Sequence, residues 1–144
     1  MRIEVTLSLP QDTVSVPLAR RTVAAMLDQT GIDRDCLGEV KVALSEACTN
    51  VLDHAGSGGS YQVVIGLADD LLTIDVTDDG PGFVDHQPRP TMPEPLAARG
   101  RGGALIAALT DHAHFDTVTS GGATVHMSKR LIWSGGAPKW RVQQ

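Results

Sequence analysis

The residues best suited to chemistry in this sequence are Glu46 and Asn50, which lie four positions apart within residues 44–54. Apolar residues recur around them at three- and four-residue spacing, which predicts an amphipathic helix with one buried stripe. Glu46, Asn50 and Asp53 fall on the opposite side of that helix. A carboxylate and a carboxamide one turn apart offer oxygen ligands to a hard cation such as magnesium. The pattern also fits the solvated face of an ordinary surface helix. The stripe consists of Leu37, Val40, Leu44, Ala47, Cys48 and Val51.

A second candidate segment, residues 78–82, reads Asp-Asp-Gly-Pro-Gly and follows a predicted strand. Asp78 continues the inward alternation of that strand, so its carboxylate could accept a hydrogen bond from an amine such as that of adenine. Gly80 and Gly82 have no β-carbon, which lets their backbone amides approach a ligand closely. Taken alone, the segment also fits a common turn.

A third segment, residues 100–103, reads Gly-Arg-Gly-Gly and opens a predicted helix. The first turn of a helix has free backbone amides that favour a phosphate group, and Arg101 adds positive charge. The spacing matches neither a Walker P-loop nor the dinucleotide-binding fingerprint. A glycine cluster of this kind can also simply form a turn or loop between two elements.

Composition limits the function classes. The chain has 144 residues and a net charge of −5, so we expect neither direct nucleic-acid binding nor a membrane-surface patch. No apolar run reaches the roughly 18 residues that span a bilayer, and the N-terminus lacks the apolar block of a signal peptide. Cys36 and Cys48 lie too far apart on one predicted helix to form a disulfide. These features favour a cytoplasmic location.

Periodicity predicts the elements that must position the three segments. The order is strand, two helices, two strands, a long loop, a helix and two strands, which predicts an α+β fold. We expect a two-layer α/β sandwich, with the helices on one face of a mixed, mostly antiparallel sheet. Residues 84–99 are proline-rich and are predicted to be irregular and lid-like. Residues 1–133 would form the domain and residues 134–144 a flexible C-terminal tail. The predicted elements are strand 3–9, helix 16–29, a helix from the N-cap Asp33 to about residue 55, strands 61–67 and 72–76, helix 104–109, and strands 113–119 and 123–130.

The order of the three segments, Glu-x-x-x-Asn, then Asp-x-Gly-x-Gly, then Gly-x-Gly, resembles the Bergerat-type GHKL ATP-binding fold of gyrase B and histidine kinases. Residues 121–124, Gly-Gly-Ala-Thr, match the last glycine-threonine segment of that family, and the resemblance covers about residues 1–130. Residues 18–25 and 45–50 look like the anti-sigma factor serine/threonine-protein kinases.

The resemblance implies a role for each matching residue. Asn50 would coordinate Mg²⁺ on the phosphates of ATP, and Glu46 would be the general base that takes the proton of a serine or threonine hydroxyl. Asp78 would bind the adenine amine, with Thr124 near the same base. The adenine pocket would be shaped by Gly80 and Gly82. The phosphates would be held beneath the lid by Gly100, Gly102 and Gly103, beside Arg101.

The resemblance also implies protein partners. The chain would sequester a sigma factor and phosphorylate an anti-sigma factor antagonist, with Arg20 as a partner contact, and it would form a homodimer. Gly103 stands where the family usually has a larger apolar residue, and Ala98 where it often has an arginine. These departures motivate an alternative, a non-catalytic ATP-binding regulatory module. A lower alternative is a detached histidine kinase ATPase domain, which would need a separate dimerisation protein.

Overall fold

The computed structural model describes residues 2–54, 59–78, 91–94, 101–118 and 122–140. The predicted helices and strands are all present in these ranges, with small differences at their ends. No helix in the described part of the chain is both long and apolar enough to cross a bilayer. The elements are β1 (Arg2–Pro10), α1 (Ser15–Asp28), α2 (Arg34–His54), β2 (Ser60–Ala68), β3 (Leu71–Asp78), β4 (Thr91–Glu94), α3 (Arg101–Leu109), β5 (His112–Val118) and β6 (Ala123–Arg130).

The strands form one six-stranded sheet in the order β1-β2-β3-β6-β5-β4. Every strand pair among the described residues is antiparallel, so the parallel component expected of a mixed sheet is not seen there. β2 and β3 form an antiparallel hairpin through Asp69 and Asp70. Asp69 has a φ of 53°, a left-handed conformation that aspartate tolerates better than most residues. The predicted two-layer α+β architecture is confirmed.

The prediction that residues 84–99 are irregular was wrong at residues 91–94, which form strand β4. This strand pairs with β5 and becomes the edge of the sheet. Pro93 lies opposite Asp116 in that pairing. Proline is tolerated at an edge because an edge strand has a hydrogen-bonding neighbour on one side only. The prolines conceal the strand in the sequence because they interrupt its pattern.

α2 lies with its apolar stripe against the sheet. Val40, Leu44, Ala47, Cys48 and Val51 are at most 1% exposed, while Leu37 is only partly buried. Burying a valine or leucine side chain contributes roughly 1.5–3 kcal/mol relative to leaving it in water. The stripe therefore fixes which side of α2 turns away from the sheet.

Asp33 is the N-cap of α2, as predicted. Its Oδ2 accepts a hydrogen bond of 3.1 Å from the backbone N–H of Cys36. Cys36 and Cys48 are both buried and are not joined by a disulfide, as their separation along α2 predicted.

The segment after β6 contacts the connection between α1 and α2. The N–H of Ser134 donates to the carbonyl of Gly31 at 2.9 Å, and the N–H of Lys139 donates to the carbonyl of Thr30 at 2.8 Å. The rings of Trp133 and Trp140 meet edge to face at 5.4 Å. Residues 134–140 thus differ from the frayed tail that was expected, while residues 141–144 lie outside the described ranges. The division of the chain at residue 133 stays a prediction.

Candidate functional site

The first turn of α3 lies against the outward side of α2. A β-carbon built on Gly102 would be 2.5 Å from Glu46 Oε2 and 3.6 Å from Asn50 Oδ1. The first distance is far below van der Waals contact, so any larger residue at position 102 would displace either the carboxylate or the helix. Gly102, which the sequence placed in a different motif, therefore forms one cluster with Glu46 and Asn50. Asp53 is exposed on α2 and takes no part in it.

Asn50 has an unusual hydrogen-bonding state. Its Nδ2 is buried and has no hydrogen-bond partner within the described part of the chain. Leaving a buried donor unpaired costs about 1–3 kcal/mol, so this amide favours a ligand that supplies an acceptor. The same side chain offers an oxygen of the kind that magnesium binds. A cation carrying phosphate groups would satisfy both ends of the amide, so the residues present fit a Mg²⁺–ATP complex.

The N-terminus of α3 adds hydrogen-bond donors beside this cluster. The helix begins at Arg101, so the amides of Gly102 and Gly103 lie in its first turn, where backbone N–H groups have no partner within the helix. Gly103 is buried, and Ile106 on the next turn is fully buried in the core. α3 packs directly on α2. This packing aims the positive end of the α3 dipole toward Asn50, where it favours an anion.

Asp78 lies at the end of β3 and is 1% exposed. It follows Leu72, Ile74 and Val76 in the inward alternation of that strand, so it faces the helix layer as predicted. Its Oδ1 accepts a hydrogen bond of 2.7 Å from Gln11 Nε2. A buried carboxylate in this position can read a hydrogen-bond donor on a bound base.

Thr124 is placed differently from the other predicted site residues. It pairs with Thr77 across β3 and β6, and it alternates with the fully buried residues Ala123 and Val125. Its side chain therefore lies on the face of the sheet opposite the helices, whereas Asp78 lies on the helix face. The structure brings Ala123, rather than Thr124, to the side of Asp78. A role for Thr124 near the base stays a prediction that this orientation does not favour.

Three predicted site residues, Gly80, Gly82 and Gly100, lie outside the described ranges, as does Ala98. Arg101 is described in its backbone only. The predicted roles of these residues in the adenine pocket and at the phosphates stay predictions.

A groove of about 410 Å³ runs between α1 and α2. Arg20 Nη1 donates to Ser45 Oγ at 3.3 Å within it. Val42, which lines the groove, exposes 42% of its surface. The groove connects the predicted partner contact, Arg20, with the predicted base, Glu46. Its lining residues are Arg20, Gly38, Lys41, Val42, Ser45 and Glu46.

The inner face of α2 contacts a buried polar group of β2 that sequence reasoning missed. Tyr61 is fully buried, and its hydroxyl hydrogen-bonds to Ser15 Oγ. Burial raises the pKa of the Cys48 thiol to about 12, although a hydrogen bond with Tyr61 opposes the rise. Cys48 is therefore a protonated core residue at neutral pH rather than a nucleophile. Tyr61 gave no sequence signal beyond its place in the alternating pattern of β2.

The histidine side chains that the structure describes lie away from the cluster of Glu46, Asn50 and Gly102. His126 contacts Asp75, and His114 lies 3.4 Å from Asp116, all on the outer face of the sheet. His112 is exposed. The side chain of His54 and all of His86 lie outside the described residues.

Comparison with known proteins agrees with this geometry. A solved structure from Mycobacterium tuberculosis that contains RsbU and RsbW domains superposes with a TM-score of 0.62 over 90% of this chain and 32% of that one. Its sequence identity is 18%, so this likeness shows the fold alone.

Two curated relatives are more similar in sequence. The serine-protein kinase RsbW of Bacillus cereus is 32% identical over 89% of this chain and 85% of its own length. The anti-sigma F factor of Bacillus licheniformis is 32% identical over 78% of this chain and 82% of its own length. A family model described as the histidine kinase-like ATPase domain matches residues 9–129, which include Glu46, Asn50, Asp78 and Gly102. The chain therefore belongs to the histidine kinase-like ATPase domain family.

Proposed function

We propose that this chain is an ATP-dependent serine/threonine protein kinase that acts as an anti-sigma factor. It would sequester a sigma factor and phosphorylate an antagonist of that anti-sigma activity. The observation that carries the proposal is the approach of Gly102 to Glu46 and Asn50, because a carboxylate, a carboxamide and a helix N-terminus in one cluster are the groups that a base, a cation ligand and a phosphate site would need. The names of the relatives, a serine-protein kinase and an anti-sigma factor, support the same activity.

The nucleotide would lie between α2, α3 and the end of β3. Asn50 would provide the protein oxygen for Mg²⁺, which when bound neutralises charge on the transferring phosphate. Amides of Gly102 and Gly103, with those of Gly100 and the side chain of Arg101, would hold the phosphates. Asp78 would accept a hydrogen bond from the adenine amine. Gly80 and Gly82 would line the base.

Glu46 would act as general base. Its carboxylate would take the proton of a serine or threonine hydroxyl as the hydroxyl oxygen bonds to the γ-phosphorus and the bond from that phosphorus to ADP breaks. Phosphoryl transfer depends mainly on positioning and on charge stabilisation. The missing β-carbon at Gly102 would allow that positioning, because it leaves space for the carboxylate beside the end of α3.

The protein substrate would enter along the groove between α1 and α2. Arg20 and Lys41 give this groove a positive lining, and Glu46 is among its walls. An acidic segment that carries the acceptor hydroxyl would complement the charge of the groove. We expect the chain to be cytoplasmic and to form a homodimer, as the resemblance of its sequence implies.

The test combines the purified chain with magnesium, γ-labelled ATP and candidate antagonists, which a pull-down with the chain as bait can supply. Transfer of label to a serine or threonine supports the proposal, as does a stable complex with a sigma factor on a sizing column. ATP binding without transfer to any captured partner would favour the non-catalytic module. Absence of ATP and ADP binding in calorimetry with magnesium would refute both.

A further inference from the structure

Gln11, in the connection between β1 and α1, is hydrogen-bonded to two distant parts of the chain. Its Nε2 donates to Asp78 Oδ1 at 2.7 Å and to the carbonyl of Ser60 at 3.1 Å. Its Oε1 accepts from the N–H of Gly59 at 3.3 Å, and its own N–H donates to the carbonyl of Gly59 at 3.2 Å. The side chain is partly buried. One residue thus joins the start of β2 to the carboxylate at the end of β3.

The chemistry of these neighbours fixes the orientation of the amide. Both groups near Nε2, the Asp78 carboxylate and the Ser60 carbonyl, are acceptors, while the group near Oε1 is a donor. The reverse orientation would set the amide oxygen against a carboxylate oxygen and a carbonyl oxygen, with no donor between them. The Gln11 amide is therefore a donor toward Asp78.

Backbone groups as well as Asp78 hold Gln11 in place. Three of its four hydrogen bonds join it to the backbone of Gly59 and Ser60. Space for the amide depends on Gly59, since a β-carbon there would lie 3.0 Å from Gln11 Nε2. An amide anchored to the backbone can impose a geometry on the carboxylate that it contacts.

We propose that Gln11 is a positioning residue that sets the orientation of Asp78 for the amine of adenine and so contributes to selecting adenine over guanine. The proposal rests on the proposed function, in which Asp78 reads the base. A carboxylate has about four lone-pair sites, so accepting from Gln11 does not exhaust its capacity. With Oδ1 held, the carboxylate presents acceptors in one direction. Adenine has a donor at its 6-position, whereas guanine has an acceptor there, which a fixed carboxylate repels.

The test measures nucleotide affinity by calorimetry with magnesium for wild type and Gln11→Met, which keeps the length of the side chain and removes its amide. The ligands are ATP, GTP and purine riboside triphosphate, which lacks the 6-amine. We expect Gln11→Met to bind ATP about tenfold more weakly, the order of one hydrogen bond to a charged group. Its affinity for the analogue should stay within about twofold, and its preference for ATP over GTP should shrink.

Matched variants separate positioning from general structural damage. Gln62→Met changes an exposed glutamine on the other face of β2 and should leave all three affinities unchanged. Gln11→Glu should weaken ATP binding further, because a second carboxylate would face Asp78. If Gln11→Met does not fold, Gln11→Asn can be compared with wild type in the same way. Its side chain is one methylene shorter, so its amide lies farther from Asp78. If the role of Gln11 were purely structural, Gln11→Met would lower the affinity for all three ligands by the same factor. That result would overturn the proposal.

Two further outcomes distinguish this inference from the function on which it rests. If Gln11→Met keeps the wild-type ratio of ATP to analogue affinity while Asp78→Asn loses it, Gln11 does not position the carboxylate, but Asp78 still reads adenine. If wild type binds none of the three ligands, the proposed function and the role of Gln11 fail together.

Discussion

Gly102 of α3 lies so close to Glu46 of α2 that a β-carbon on the glycine would be 2.5 Å from the carboxylate oxygen. A pocket lined by two helices usually leaves space for side chains from both. Here α3 contributes a residue without a side chain at the contact, so the carboxylate lies directly beside Gly102 in the first turn of α3.

Adding one methyl group at Gly102 should disrupt the site without disturbing the core. We expect Gly102→Ala to weaken Mg²⁺–ATP binding about tenfold or more, because Glu46 or the end of α3 must move. The control is Gly38→Ala on α2, where a β-carbon would meet nothing within 4 Å. Gly38→Ala should raise the free energy of unfolding by about 0.5–1 kcal/mol and leave ATP affinity unchanged. Calorimetry and urea unfolding measure both effects. Wild-type ATP affinity in Gly102→Ala would contradict the role of this contact.

Replacing the proposed base should affect transfer rather than binding. We expect Glu46→Gln to lower the rate of phosphate transfer by about 10²–10⁴, the usual contribution of general base catalysis, with little change in ATP affinity. Glu39→Gln is the matched control, because Glu39 lies on the same helix and faces Lys129 at 3.8 Å instead of α3. Single-turnover assays with labelled ATP measure the rates. Equal transfer by wild type and Glu46→Gln would remove Glu46 from the chemistry.

Replacing Asn50 should lower the stability of the nucleotide complex without lowering that of the free protein. Because Nδ2 has no partner in the described structure, Asn50→Ala should leave the melting temperature of the free chain unchanged or slightly higher. Its gain in melting temperature with Mg²⁺–ATP should be much smaller than that of wild type, since the stabilisation of the native state by a ligand increases with the logarithm of the ligand concentration divided by Kd. Asp53→Ala, an exposed neighbour on α2, should behave like wild type. A full ligand-induced gain in Asn50→Ala would argue against its role as a ligand.

Stability should fall in alkaline solution because of the buried pair Cys48 and Tyr61. Burial raises the pKa of Cys48 from 9.0, and that of Tyr61 from 10.0, to about 12 in each case. Above pH 9 the unfolded chain releases protons that the folded chain retains, so the free energy of unfolding decreases as pH rises toward 12. Urea unfolding at a series of pH values measures the slope. Cys48→Ala and Tyr61→Phe should each flatten it, and an unchanged slope in both would show that other groups dominate.

Partner binding should depend on Arg20 more than on its neighbour in sequence. Arg20 is partly buried beside Ser45 in the groove, whereas Arg21 is exposed. We expect Arg20→Ala to weaken the complex with the sigma factor or antagonist by more than about 1 kcal/mol, as for an arginine at an interface centre. Arg21→Ala should have little effect, and neither change should alter ATP affinity. Surface plasmon resonance with each partner tests this, and equal losses in both variants would place the contact elsewhere.

Local patterns determined much of the fold and part of the site. The stripe of α2 and the cap at Asp33 each depend on residues within a few positions of one another, so periodicity and capping chemistry predicted them. The inward direction of Asp78 also followed from alternation along a single strand. Glu46 and Asn50 could be paired from sequence because one helical turn separates them.

Only the tertiary structure decided the contacts between segments distant in the chain. Residues 91–94 form β4 because they pair with the edge of β5. The prolines within and around this segment interrupt the strand pattern, so the sequence alone did not show it. Thr124 lies on the outer face because a shift of one residue reverses every side chain of a strand, and matching a motif does not specify the register. Gln11 reaches Asp78, and Gly102 reaches Glu46, only after the sheet and the helices have packed. The sequence by itself thus supplied the chemical groups, while long-range packing decided which of them meet.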